Sequence, residues 1–265
     1  MKTLFAFILT GALISGIHAQ EYVVKLLENS PRHQEWITVP AGDRDVTCFV
    51  VYPEVSENAT VVIVIHENRG LTDWVRSFAD RLAGKGFIAI APDLLSDFKP
   101  GIKNTAGFKS SDEARNAIYE LTPEQVKNDL NAVQNYAADM SAGNGKTVVA
   151  GFCWGGAQSF RMATYNNDIE AALVFYGSAP ESYEQIEQIS SPVYGFYGGN
   201  DQRINAGIPA AEKMMEKAGN KYDYVIYPDA GHAYMRQGDD PKSSPGNLKA
   251  KNESWERMIH ILKSI

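Results

Sequence analysis

Val148-Val149-Ala150-Gly151-Phe152-Cys153-Trp154-Gly155-Gly156 is an apolar run that breaks into a G-x-C-x-G turn. The run has the composition of a strand buried on both faces. Glycines on either side of a central residue let the chain pass sharply from strand to helix and bring the two close together. Such a turn pushes the central side chain out at the carboxyl edge of a parallel sheet. It also leaves the next N–H, that of Trp154, free to meet a developing oxyanion. A small buried cysteine in a Gly-rich turn would satisfy the same pattern, so the rest of the chain must decide between packing and chemistry.

Strand patterns rich in Val, Ile, Tyr and Phe recur on both sides of that segment with helical patterns between them. This predicts an α/β fold, a mostly parallel central sheet with helices on both faces. Trp36–Val39 and Thr47–Tyr52 follow one another without room for a helix, so the sheet should open antiparallel. Val61–His66 reads as a central strand and Phe87–Ala91 as the next. Ala171–Phe175, Val193–Tyr197 and Tyr224–Tyr227 are the later ones. Helical spacing covers Asp73–Ala83, with Trp74, Phe78 and Leu82 on one stripe and a stop at Gly84. A helix from Pro123 to about Met140 is marked by Thr122 as cap, Pro123 in its first turn and Gln125 at capping-box distance. Ile208–Lys217 and Lys251–Leu262 are the late helices. Ser96–Leu121 contains Pro100, Gly101 and Gly107 and reads as a long irregular segment of the kind that lies over a pocket. No repeat or linker pattern interrupts the sequence, so residues 20–265 read as one domain.

The 265 residues are 44% apolar and 22% charged, enough for a sizeable core. A net charge of −7 without a Lys/Arg cluster argues against nucleic acid and anionic membranes as partners. Residues 1–19 read as a signal peptide, with Lys2 as the positive region, Leu4 to Ile17 as the apolar one, and Ile17-His18-Ala19 before Gln20 as the cleavage site. The apolar stretch is too short and too broken for a membrane span. A periplasmic or secreted protein with no membrane anchor after processing is therefore expected. Cys48 alternates within a strand pattern as core filler, so Cys48 and Cys153 are expected as two free thiols. Asn144-Gly145-Lys146-Thr147 is not a phosphate loop, because Met140 stands at the first glycine position and a strand follows. His66-Glu67 is not a zinc motif, because Gly70 stands where the second histidine belongs. No metal or cofactor is implied.

A thiol nucleophile needs a base, since a free cysteine titrates near ~8.5. His232 follows strand Tyr224–Tyr227 and should emerge at the carboxyl edge near Cys153, whereas His33 precedes the first strand and His260 lies inside the last helix. Asp201, after strand Val193–Tyr197, is the matching acid, giving the chain order nucleophile, acid, base. Asp229 competes for that role but stands too near His232 in sequence to reach around its ring. His66-Glu67-Asn68-Arg69-Gly70 follows the central strand where a second oxyanion donor belongs, so the Asn68 N–H can pair with that of Trp154. Glu67 would sit beside the thiol and oppose its ionisation.

Gly151-Phe152-Cys153-Trp154-Gly155-Gly156, His66-Glu67-Asn68-Arg69-Gly70, Ala91-Pro92-Asp93-Leu94, Asn200-Asp201-Gln202-Arg203-Ile204 and Gly231-His232-Ala233-Tyr234 together resemble the dienelactone hydrolase family, in its order, from about residue 35 onward. The resemblance implies an α/β-hydrolase fold with a Cys-His-Asp triad, here Cys153, His232 and Asp201. It also implies that Glu67 modulates the thiol, the resting cysteine being protonated and bonded near the glutamate. Family members that cleave dienelactones hold the substrate carboxylate with two arginines. Arg236 matches one, but Pro92-Asp93-Leu94-Leu95-Ser96-Asp97 offers an aspartate near the place of the other, with Arg69 or Arg203 as substitutes. Phe108, Trp154 and Tyr234 are candidate aromatic walls of an acyl pocket. The expected activity is cleavage of a small-molecule carboxylic ester or lactone through a thioester. A broad thiol carboxylesterase acting on uncharged esters, or a non-catalytic ligand-binding protein of the same fold, is the alternative.

Overall fold

The computed structural model describes residues 23–265, so the expected signal peptide, residues 1–19, lies outside the described residues. Among these residues β1 (Gln34–Ala41), β2 (Arg44–Val51), β3 (Ala59–Ile65), β4 (Ile88–Pro92), β5 (Gly143–Phe152), β6 (Ala171–Phe175), β7 (Val193–Gly198) and β8 (Tyr222–Tyr227) form one sheet in the order β1-β2-β4-β3-β5-β6-β7-β8. β2 runs antiparallel to both β1 and β4, and the remaining neighbours pair in parallel. This is the mostly parallel sheet of an α/β-hydrolase fold, with the expected antiparallel opening. The crossover from β3 goes to β4 on one side, and the chain then returns to β5 on the other. A crevice therefore opens at the carboxyl ends of β3 and β5, where α/β sheets hold their ligands.

β3 has no exposed residue, because both of its faces are covered. On one face Val62, Val64, Phe152 and Phe175 pack with α1 (Asp73–Ala83) and with Met258, Ile261 and Leu262 of the C-terminal helix. On the other, Val61, Ile63, Ile65 and Val149 pack with α3 (Pro123–Ala138), with Phe160 and Met162 of α4 (Trp154–Met162), and with α7 (Ile208–Ala218). Thr122 caps α3 as its sequence predicts, its hydroxyl accepting the Gln125 N–H at 3.1 Å. Both cysteines are free thiols: Cys48 lies in the second layer and Cys153 against the first, on opposite faces of the sheet.

Two elements depart from expectation. Residues 96–121 are not irregular throughout, because α2 (Ser111–Glu120) forms within them, capped by the Ser110 hydroxyl accepting the Glu113 N–H. Only Ala114, Ala117 and Ile118 of α2 are buried, too sparse a stripe to stand out in the sequence. They pack on Leu95 together with Phe98, Phe108 and Trp154, so the segment does cover the rim beside the cysteine turn. The C-terminal helix, α9, spans Pro245–Lys263 and begins well before Lys251, with the Ser244 hydroxyl accepting the Asn247 N–H. The short helices α5 (Tyr183–Ile186), α6 (Gln202–Asn205) and α8 (Tyr234–Gln237) complete the connections.

Candidate active site

The turn after β5 is tight enough to require its glycines. A Cβ on Gly151 would lie 2.0 Å from the Gly155 carbonyl oxygen, and one on Gly155 2.3 Å from that of His66. Between them Cys153 takes φ 54° and ψ −112°, a costly conformation for a residue with a side chain. It is held there by its N–H bonding the Phe175 carbonyl at 3.0 Å, while its own carbonyl accepts the Ala157 N–H at 3.1 Å and starts α4. The Sγ atom is left half-buried at the rim.

The loops after β7 and β8 bring the next two side chains to that sulfur. Gly199 N–H bonds the Tyr227 carbonyl at 2.8 Å and Asn200 N–H bonds the Ala230 carbonyl at 2.9 Å, which ties one loop to the other. Asp201 accepts the His232 Nδ1–H at 2.5 Å through Oδ2, and His232 Nε2 lies 3.0 Å from Cys153 Sγ. Asp201 is 6% exposed, so its carboxylate meets the imidazole with little competition from water. Asp229 is exposed and takes no part in this chain of bonds. The carboxylate fixes the imidazole tautomer with its bare nitrogen on the thiol, an arrangement able to accept the thiol proton.

Glu67 lies beside this chain of bonds without joining it. Its Oε2 accepts the Arg236 Nε–H at 2.6 Å, and its buried Oε1 has no partner. The expected resting contact between thiol and glutamate is replaced here by the pair of thiol and histidine, while Arg236 holds one oxygen of the Glu67 carboxylate. Burial and the nearby Glu67 charge push the Cys153 thiol up to about 11, against the pull of the Trp154 N–H, Arg203 and Arg236.

The remaining predicted residues divide. Asn68 is half-buried, its side-chain amide donating to the Tyr119 hydroxyl at 3.1 Å. Arg69 is exposed and bonds Ser111, with Asp112 at 3.5 Å. Phe108 packs beside Trp154 and is half-buried. Tyr234 is a correction: it has no exposed surface and its hydroxyl lies 2.7 Å from Ser254 Oγ, so it is core beneath α9 and not a pocket wall. The aromatic ring against His232 is instead Tyr176, edge-on at 5.2 Å between ring centres and fully buried, with an unpartnered hydroxyl. Sequence reading passed over it because Phe175-Tyr176 looks like the last turn of a buried strand. Its place at the end of β6, before Gly177, was the available signal. The Asp97 carboxylate, near the expected place of the second arginine, is paired with Lys103 at 2.9 Å.

Two amides from the chain beyond His232 were also missed. Gln237 donates to the His232 carbonyl at 3.0 Å, and Asn247 donates to Gln237 at 2.8 Å while accepting the Gly231 N–H at 2.8 Å. A cleft of about 890 Å³ opens beside them, bordered by Glu67, Arg69, Arg236, Gln237, Lys242 and Asn247. Among the described residues no three His, Cys, Asp or Glu side chains gather as metal ligands would, and no helix is long and apolar enough to cross a membrane.

A model of the dienelactone hydrolase family matches residues 46–265, a span that takes in every side chain of this rim. The chain belongs to the dienelactone hydrolase family. It is 30% identical over 251 residues to a Saccharolobus solfataricus protein provisionally named a carboxymethylenebutenolidase, covering 83% of this chain and 94% of that one. A protein of the same provisional name from Salmonella typhimurium is 29% identical over 235 residues, 84% of each chain. Among solved structures, a provisionally named dienelactone hydrolase from Klebsiella pneumoniae superposes with a TM-score of 0.77 at 24% identity, over 88% of this chain and 99% of that one, a likeness of fold. As a dienelactone hydrolase family member the chain is a hydrolase, and its α/β-hydrolase fold is shared with these neighbours.

Proposed function

We propose that this hydrolase cleaves a small-molecule carboxylic ester or lactone with Cys153 as nucleophile and a thioester as intermediate. The observation that carries the reading is the unbroken line from Asp201 through His232 to the Cys153 sulfur, at 2.5 and 3.0 Å, on a strained strand-to-helix turn. His232 Nε2 takes the thiol proton as Sγ attacks the carbonyl carbon. The resulting oxyanion lies between the N–H groups of Trp154 and Asn68, and the imidazolium then protonates the departing alkoxide. Water, deprotonated by the same nitrogen, attacks the thioester and releases the acid and the thiol. Asp201 holds the imidazole in the tautomer both halves need.

Glu67 adds to burial in opposing ionisation of the thiol in this scheme. A substrate carboxylate entering the cleft would compete with Glu67 for Arg236, and Arg69 stands across the same cleft as a second cation. The pairing already present on Arg236 favours a second reading, a carboxylesterase acting on uncharged esters that leave the Glu67–Arg236 pair undisturbed. A panel of p-nitrophenyl esters and a carboxylate-bearing lactone, assayed on wild type and Cys153→Ser, separates the two, and mass spectrometry of the trapped acyl-enzyme identifies its bearer. An acyl group on Cys153 is expected. No turnover of any ester or lactone, or acylation elsewhere, overturns the proposal. Export is proposed from the pattern of residues 1–19, and a mature chain beginning at Gln20 in a periplasmic or culture-fluid fraction tests it.

A further inference from the structure

One histidine at this rim has no part in the proton transfers. His66 is fully buried, and its ring meets three segments. Nδ1 lies 2.8 Å from the Glu67 carbonyl oxygen, and Nε2 lies 3.3 Å from the Leu94 backbone nitrogen. A carbonyl only accepts and a backbone N–H only donates, so Nδ1 carries the proton and Nε2 is bare. The ring also stacks on the Trp154 indole, 5.6 Å between centres and 10° from parallel.

We propose that His66 is a positioning residue that sets the direction of both oxyanion-binding amides, an inference that rests on the hydrolytic reading above. The Glu67–Asn68 peptide is trans, so its C=O and N–H point in opposite directions. Tying the Glu67 carbonyl to the imidazole therefore turns the Asn68 N–H away from it and keeps that peptide from rotating. The stacked indole belongs to Trp154, whose N–H is the other donor. The backbones of the two loops also touch, since a Cβ on Gly155 would lie 2.3 Å from the His66 carbonyl oxygen. The Leu94 bond anchors the ring to the end of β4. There the buried Asp93 accepts the Thr105 N–H at 2.7 Å and the Thr105 hydroxyl at 2.8 Å, and that hydroxyl in turn accepts the Leu71 N–H at 3.0 Å. The loop carrying Asn68 is thus held at both ends, at His66 and at Leu71. Burial keeps the ring neutral against the opposing pull of Asp93, as the two bonds require.

His66→Phe keeps an aromatic ring on Trp154 and removes both hydrogen bonds, whereas His66→Gln can still donate to Glu67 and accept from Leu94. On the best ester of the panel, the phenylalanine variant is expected to lose about 10²- to 10³-fold in kcat, the cost of an oxyanion donor, with KM nearly unchanged. Glutamine should restore most of that loss at the same KM. A merely structural role would lower both variants in step with their folded fraction, read from thermal melts, and would give no rescue. Nitrogen-15 NMR of the wild type at neutral pH should show His66 protonated at Nδ1 and bare at Nε2. This reading and the kinetics of the glutamine variant carry the test if the phenylalanine variant does not fold. Wild-type kcat in His66→Phe, a glutamine variant no better than phenylalanine, or a proton on Nε2 overturns the proposal. An inert wild type overturns the hydrolytic reading and this one with it, whereas an active wild type with an indifferent His66 overturns this one alone.

Discussion

A cysteine whose thiol is pushed up to about 11 is a poor nucleophile at neutral pH, so Cys153 depends on what surrounds it. Burial is the larger cause, and the Glu67 carboxylate adds to it. Removing a negative charge from beside a group that becomes negative favours ionisation, and Glu67→Gln also frees the Arg236 cation. The pH midpoint for alkylation of Cys153 by iodoacetamide should therefore move to lower pH in Glu67→Gln, and an unmoved midpoint would show that Glu67 does not govern the thiol. Asp201 acts one step further back. Asp201→Asn keeps the shape but lets the imidazole take the wrong tautomer, and kcat should fall by about 10⁴-fold with the fold intact. Steady-state kinetics beside a circular dichroism spectrum checks this, and a loss below tenfold would leave Asp201 a mere turn residue.

The elements matter because each functional side chain hangs from the end of a strand, and something must hold the loop that follows. For His232 the holder is the start of α9. Asn247, only 8% exposed, accepts the Gly231 N–H and donates to the Gln237 side-chain oxygen, and Gln237 donates to the His232 carbonyl. Asn247→Ala leaves a backbone N–H without its partner, at a cost of about 1–3 kcal/mol. Thermal melts should register that loss, and kcat should fall more than KM rises as the imidazole loosens. Wild-type kcat with a lowered melting temperature would confine Asn247 to packing. None of this was legible in the sequence, because a bond from a helix start to a distant loop leaves no periodicity. What was legible had local causes. The Gly151 and Gly155 positions betray a close approach of backbones, Thr122-Pro123 betrays a helix start, and the apolar run of β3 betrays burial on both faces. α2 escaped because Asp112, Glu113, Arg115 and Asn116 leave its buried stripe at Ala114, Ala117 and Ile118. Tyr234 was misplaced because a position two residues after His232 fixes its sequence neighbourhood but not the face it turns to. Cys153, Asp201 and His232 could be singled out because each follows a strand of the alternating pattern, which places their loops at one edge, and there the three side chains meet.

At the scale of the whole molecule the sheet must keep its early antiparallel hairpin on a body that is otherwise parallel. An ion pair spans that seam. Arg44, at the start of β2, bonds Asp129 of α3 and the Ser96 carbonyl, and Asp129 is 1% exposed with one carboxylate oxygen unpartnered. Burial raises this carboxyl to about 6, more than the Arg44 cation holds it down. Its value in the unfolded chain is near ~3.9, so between about pH 6 and pH 4 the folded state binds the extra proton. Stability from this group therefore rises as pH falls through that window, opposite to a carboxylate whose ion pair wins. An asparagine side chain at the same position carries no titrating charge, so the melting temperature of wild type relative to Asp129→Asn should increase on going from pH 6.5 to pH 4. A difference that shrinks over the same range would mean that attraction to Arg44 outweighs burial, and that the hairpin is clasped by charge.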